Sequence, residues 1–267
     1  MTVYSPIINV IVKAVMKASK GLKRDFGEIE KLQVSKKGLA DFVSVADLRA
    51  DKVLREELKK MRPTFGFLTE ELGEEKGQDP NARWIIDPLD GTTNFLHGLP
   101  HFAISVALEQ NKEIVAAVIY DPIKDELFRA EKGQGAFLND KRLRVSSRRN
   151  LDESLFATGI PFKGRNNNID IFLQEIKNII DVSAGIRRFG AASLDLAYVA
   201  AGKFEGFWES NLSSWDMAAG ILMVKEAGGQ VSDFDGTSLM LETGNIIAAN
   251  REIFSQMLKL INKSKVS

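Results

Sequence analysis

Two acids, Asp87 and Asp90, are separated only by Pro88 and Leu89. They follow the apolar run Trp84-Ile85-Ile86 and precede Gly91-Thr92-Thr93-Asn94-Phe95, a segment rich in turn and capping groups. The pattern places both carboxylates at the end of a strand. Pro88 fixes its own φ and restricts Asp87, so the pair is held in a defined relative position. Two unit charges ~4 Å apart repel by about 4 kcal/mol at an effective dielectric of about 20, and a divalent cation removes that cost. Other acids occupy comparable places: Glu70 and Glu71 follow an apolar run at 65–68, Glu209 follows Trp208, and Asp216 opens a helix after Trp215. Taken singly, each reads as a turn or a cap. Together they form a set of hard oxygen ligands suited to Mg²⁺ or Mn²⁺, and so to metal-assisted phosphoryl chemistry.

The elements that must position these acids follow from periodicity. Ile7, Ile8, Ile11, Val15 and Leu22 recur at helical spacing among lysines, which predicts an amphipathic surface helix, too short and too charged to span a bilayer. A second helix is expected from an N-cap at Asp47, with Val53, Leu54 and Leu58 turned inward and a stop before Pro63. Short strands at 65–68, 84–86, 102–108, 114–120 and 126–129 predict a largely antiparallel sheet. After Asn150 strands and helices alternate: strands near Leu155, Ile186, Val231 and Ile246 and at 204–208, with helices at 169–180, 191–201 and 216–227 and a last helix capped by Asn250. The reading is one domain over 1–267, with a first half to about 149 and a second from about 150.

Composition narrows the chemistry. Lys plus Arg and Asp plus Glu each number 36, so no global field favours a polyanion. With no cysteine and two histidines, thiolate nucleophiles, zinc ribbons and histidine-rich metal sites are excluded. His97 and His101 read as packing or substrate-side groups. The basic run Lys141, Arg142, Arg144, Arg148 and Arg149 reads as a solvated hairpin face. No export signal is present, and the expected location is cytoplasmic.

At the segment from Trp84 to Phe95, and again at Trp215-Asp216-Met217-Ala218-Ala219-Gly220 continuing to Glu226-Ala227-Gly228-Gly229, the sequence resembles the inositol monophosphatase family of Mg²⁺-dependent, lithium-sensitive phosphatases. The resemblance covers nearly the whole chain and implies a mixed α/β fold, a layered α-β-α-β-α sandwich like that of fructose bisphosphatase, in a homodimer. It implies that Glu70, Asp87 and the Leu89 carbonyl hold a first Mg²⁺ and that Asp87, Asp90 and Asp216 hold a second, with a third, weaker ion near Glu70. Asp47 would pair with the active-site Thr92, and Lys36 would lie on a loop over the metals. Gly91 and Thr92 would receive the phosphate through main-chain N–H groups, and Glu209, Arg187 and Ala192 would face the rest of the substrate. The stretch 159–165 departs from the better known animal members.

The activity implied is hydrolysis of a small phosphate monoester by an activated water, with Glu70 and Thr92 assisting and myo-inositol 1-phosphate as first candidate. Fructose 1,6-bisphosphate and 3'-phosphoadenosine 5'-phosphate are alternatives, each requiring a further cationic pocket or a nucleotide wall. A reading of another class is association with transcription machinery or RNA through the basic hairpin, since some bacterial members act in such complexes.

Overall fold

The computed structural model describes residues 4–28, 34–38, 41–161 and 169–264, with 34–38 and 41–44 described through their backbone. In chain order the elements are α1 (Pro6–Phe26), a hairpin of β1 (Val34–Gly38) and β2 (Asp41–Ser44), α2 (Val45–Met61), β3 (Gly66–Thr69), β4 (Gly73–Glu75), β5 (Ala82–Asp90) and α3 (Thr92–Leu96). Then come β6 (Ala103–Gln110), β7 (Glu113–Asp121), β8 (Glu126–Glu131), β9 (Gly135–Leu138), β10 (Lys141–Arg142), β11 (Leu155–Thr158), α4 (Ile169–Ile180), β12 (Gly185–Arg187) and α5 (Ala192–Ala200). The chain closes with β13 (Gly206–Glu209), α6 (Ser214–Glu226), β14 (Gln230–Ser232), α7 (Met240–Thr243), β15 (Ile246–Ala249) and α8 (Arg251–Lys263).

Five layers result. An eight-stranded sheet in the order β10-β9-β8-β7-β6-β5-β3-β4 is antiparallel except at β3–β5, and a five-stranded sheet in the order β12-β11-β13-β15-β14 is mixed. Helices α1 and α2 cover one face of the larger sheet, α5 and α6 fill the space between the sheets, and α4 and α8 cover the outer face of the smaller one. Periodicity explains the partition. The apolar stripe of α1 buries Ile8, Ile11, Val15 and Leu22, whereas α5 is buried at every residue because it has a sheet on both sides. The central cluster joins the halves, taking Ile85, Ala117 and Phe128 from the larger sheet and Phe207, Ile246 and Ala248 from the smaller.

Two expectations change. Asp47 is not an N-cap: α2 begins at Val45, and Asp47 lies buried in its first turn, where a carboxylate still complements the helix dipole. The first sheet gains β4, β9 and β10, strands of two to four residues that periodicity over a longer window passes over. Helix α4, the near-coincident bounds of α5 and α6, and the Asn250 cap, whose side chain accepts from Ile253 N at 2.8 Å, match the sequence reading.

α5 and α6 touch at Gly220. A Cβ there would lie 2.5 Å from Cβ and Cδ1 of Leu196, so the glycine in Asp216-Met217-Ala218-Ala219-Gly220 is a contact point between helices. Gly220→Ala is expected to lower the unfolding free energy by about 1–3 kcal/mol, read as a lower urea midpoint at unchanged slope.

Candidate metal centre

The site forms where β5 breaks its regular pairing. Asp87 opposes Ser105 and Asp90 opposes Ala103, with a register shift between them that accommodates Pro88, which has no N–H to give to the ladder. The bulge turns both carboxylates to the same end of the sheet. Asp87 Oδ1 accepts from Leu89 N at 2.9 Å. Gly91 then takes φ 92°, which glycine adopts without penalty, and a Cβ there would meet the His101 carbonyl at 3.1 Å. This turn starts α3, and Asn94 Nδ2 pins it by donating to the carbonyls of His101 and Phe189, each at 2.8 Å.

The remaining acids arrive from other layers. Glu70 follows β3, the parallel neighbour of β5, and its N–H bonds the Ile86 carbonyl at 3.2 Å. Asp216 sits in the first turn of α6 and accepts from Ser213 N at 2.7 Å. The capping reading of Asp216 is therefore correct, and the same carboxylate also borders the cavity. Asp90 Oδ2 is gripped at the start of α5, by Ser193 N at 2.8 Å and by the Ser193 hydroxyl.

Glu70, Asp87, Leu89, Asp90, Gly91, Thr92, Ala192, Glu209 and Asp216 line one cavity of about 290 Å³. Asp47 stands behind it. The Thr92 hydroxyl lies 3.0 Å from both Asp47 Oδ1 and the Leu89 carbonyl. Arg187 is turned away: it is exposed and donates to the Ile186 carbonyl at 3.0 Å, and Arg188 lines the cavity in its place. Lys36 lies on β1, whose side chains are outside the described residues, as are residues 162–165 of the stretch 159–165.

Charge is the dominant feature. Burial, then the neighbouring charges of Glu70, Asp90 and Asp216, push the Asp87 carboxyl well above its ordinary range. Burial likewise raises Asp90 to about 6, opposed by its Ser193 hydrogen bonds. Among the described residues no three acids are gathered closely enough to form a ready cation shell. The donor set nevertheless fits a divalent cation: all oxygen, buried at Asp87 and Asp90, and mutually repelling.

Sequence reasoning missed Ser193, Arg188 and Asp195. Ser193 had a visible signal, a hydroxyl at a helix start. So had Asp195, an acid on a helix otherwise apolar apart from Ser193 and Tyr198. It is buried, its Oδ1 has no hydrogen-bond partner, and burial, Glu209 and Asp90 raise its pKa well above the ordinary range. His101 packs on Phe189 with ring centroids 5.0 Å apart, and burial with the Lys124 charge lowers it to about 4.

The family model described as the inositol monophosphatase family matches residues 3–265. The chain belongs to this family. Inositol monophosphatases as a family are generally Mg²⁺-dependent phosphatases, and this chain is a phosphatase. It is 56% identical over 97% of its length to an inositol-1-monophosphatase of Rhizobium meliloti, of which it also covers 97%. It is 44% identical to the Nus factor SuhB of Escherichia coli, over 95% of this chain and 94% of that one. The crystal structure of the extragenic suppressor protein suhB from Bartonella henselae superposes with a TM-score of 0.94 at 55% identity, over 97% of this chain and 99% of that one.

The raised carboxyl pKa values give a signed expectation. A carboxyl whose folded pKa exceeds its unfolded value stabilises below the unfolded value and loses that contribution as pH rises through the folded one. Metal-stripped protein should therefore lose on the order of 2 kcal/mol of stability between pH 4 and 7 through Asp90. Urea titrations across that range check it. Mg²⁺ should restore the loss at pH 7, and Asp87→Asn should unfold at higher urea without Mg²⁺ yet respond less to its addition.

Proposed function

We propose that the chain hydrolyses myo-inositol 1-phosphate with Mg²⁺ held by Glu70, Asp87, Asp90, Asp216 and the Leu89 carbonyl. The observation that carries this is the convergence of those acids with the start of α3 and with Glu209 around one cavity. The family resemblance implies two Mg²⁺, both of which Asp87 would help to hold, and a third, weaker ion near Glu70; the cytoplasmic location and the homodimer follow the same resemblance. Among the described residues no helix is long and apolar enough to cross a membrane. When bound, the metal neutralises phosphoryl oxygens and lowers the pKa of water.

The chain's own groups do the rest. Thr92 has two acceptors for its one hydroxyl proton, Asp47 and the Leu89 carbonyl. Its hydroxyl is thereby left to accept rather than donate toward the cavity, the state needed to take a proton from an attacking water. Glu70, partly exposed at the rim, assists that transfer. The first-turn N–H groups at Gly91 and Thr92 lack intrahelical partners and receive phosphoryl oxygens. Glu209, distant in sequence from Asp87 but on the same cavity, accepts from hydroxyls of the departing alcohol, with Ala192 leaving room for the ring.

Relative kcat/KM for myo-inositol 1-phosphate, fructose 1,6-bisphosphate and 3'-phosphoadenosine 5'-phosphate, each with Mg²⁺, tests the assignment. A preference of about tenfold or more for the first is expected, equivalent to about 1.4 kcal/mol; preference for either bisphosphate overturns it.

A second reading has support of its own in the identity to proteins called Nus factor SuhB. In the basic run, Arg148 is committed to the buried Glu205 at 2.8 Å and Arg142 stacks on Phe137, while Lys141 and Arg144 remain exposed. If the run binds RNA or transcription machinery, Lys141→Glu with Arg144→Glu should abolish co-purification of RNA or RNA polymerase from a lysate. Unchanged association removes this face from consideration.

A further inference from the structure

Gly159 directly follows β11, and Glu209 closes β13, the parallel neighbour in which Trp208 lies opposite Thr158. The buried Thr158 hydroxyl is 2.7 Å from the Trp208 carbonyl and 3.2 Å from the Gly159 carbonyl, tying the two strand ends at the rim of the cavity. Both Gly159 and Glu209 line that cavity. A Cβ built on Gly159 falls inside the Glu209 carboxylate, overlapping Oε1, Cδ and Oε2. The glycine is not required by its backbone, because Gly159 does not have positive φ. What requires it is space for a carboxylate.

We propose that Gly159 is the seat of the Glu209 carboxylate, a positioning residue that sets where this acid faces the substrate and hence the preference for a hydroxyl-bearing phosphate monoester. The inference rests on the reading of Glu209 as the acceptor of substrate hydroxyls. A methyl group at position 159 pushes the carboxylate either into the volume the alcohol occupies or away from it. Hydrogen bonds weaken steeply with lost alignment, so both displacements cost recognition of hydroxyls. A phosphate ester with no hydroxyl on its leaving group loses much less.

The test compares Gly159→Ala, Glu209→Gln and the double variant with the wild type, on myo-inositol 1-phosphate and on 4-nitrophenyl phosphate, with Mg²⁺. In Gly159→Ala the ratio of the two kcat/KM values should fall about tenfold or more, the scale of one lost charged hydrogen bond, with KM for the inositol ester carrying the change. The double variant should lose no more than the larger single loss, because both substitutions remove the same contact. Equal losses on both substrates, or losses that multiply, overturn the proposal. If the wild type fails to turn over the inositol ester, the functional reading falls. A crystal structure of Gly159→Ala then decides the seat separately: a displaced Glu209 supports it, and an unmoved one overturns it. Should Gly159→Ala fail to fold, adding Glu209→Asp, which retracts the carboxylate by one methylene, must restore folding; failure to do so also overturns the proposal.

Discussion

Four carboxyl groups brought together at one end of a sheet repel one another, and the architecture around them holds that repulsion in place. Asp87 is at its centre, with burial and the charges of Glu70, Asp90 and Asp216 all acting against its ionised form. The opposing groups are modest: a Leu89 N–H on Asp87, the Ser193 N–H and hydroxyl on Asp90, and the Ser213 N–H on Asp216. Each orients one carboxylate oxygen, and a divalent cation suits a buried group of acids of this kind. A site of this kind holds local strain that the rest of the fold offsets.

That support is layered. Asp87 and Asp90 lie on a central strand of the larger sheet, Glu70 on the turn after its parallel neighbour, Asp216 at the start of α6, and the grip on Asp90 at the start of α5. Helices α5 and α6 are clamped between two sheets and approach each other closely at Gly220. A shift of either helix moves both an acid and a donor. The glycine in the second motif thus serves packing, while the aspartate four residues before it serves both a helix cap and the cavity.

The substrate side is built differently. Opposite the acids, the wall comes from the ends of β11 and β13 and the segment before α5, where Gly159, Arg188, Gly190 and Glu209 meet. Asn94 ties the same region to α3 by bonding the Phe189 carbonyl. The geometry of the phosphate end and that of the alcohol end are therefore linked in part through an amide side chain.

Much of this was legible in the residues alone. The alternation of apolar positions located α1, α4 and the main strands, the acids stood out by their place at strand ends and a helix start, and Asn250 announced the last helix; all of these are local properties with a short period. Tertiary structure decided what local patterns do not encode. It chose Arg188 over Arg187, made Ser193 the partner of Asp90 across 103 residues of chain, put Asp47 inside a helix instead of at its cap, and set Gly159 beneath Glu209. Sheet order and strand register bring distant segments together, and those depend on how whole faces pack, which no neighbouring residue along the chain records.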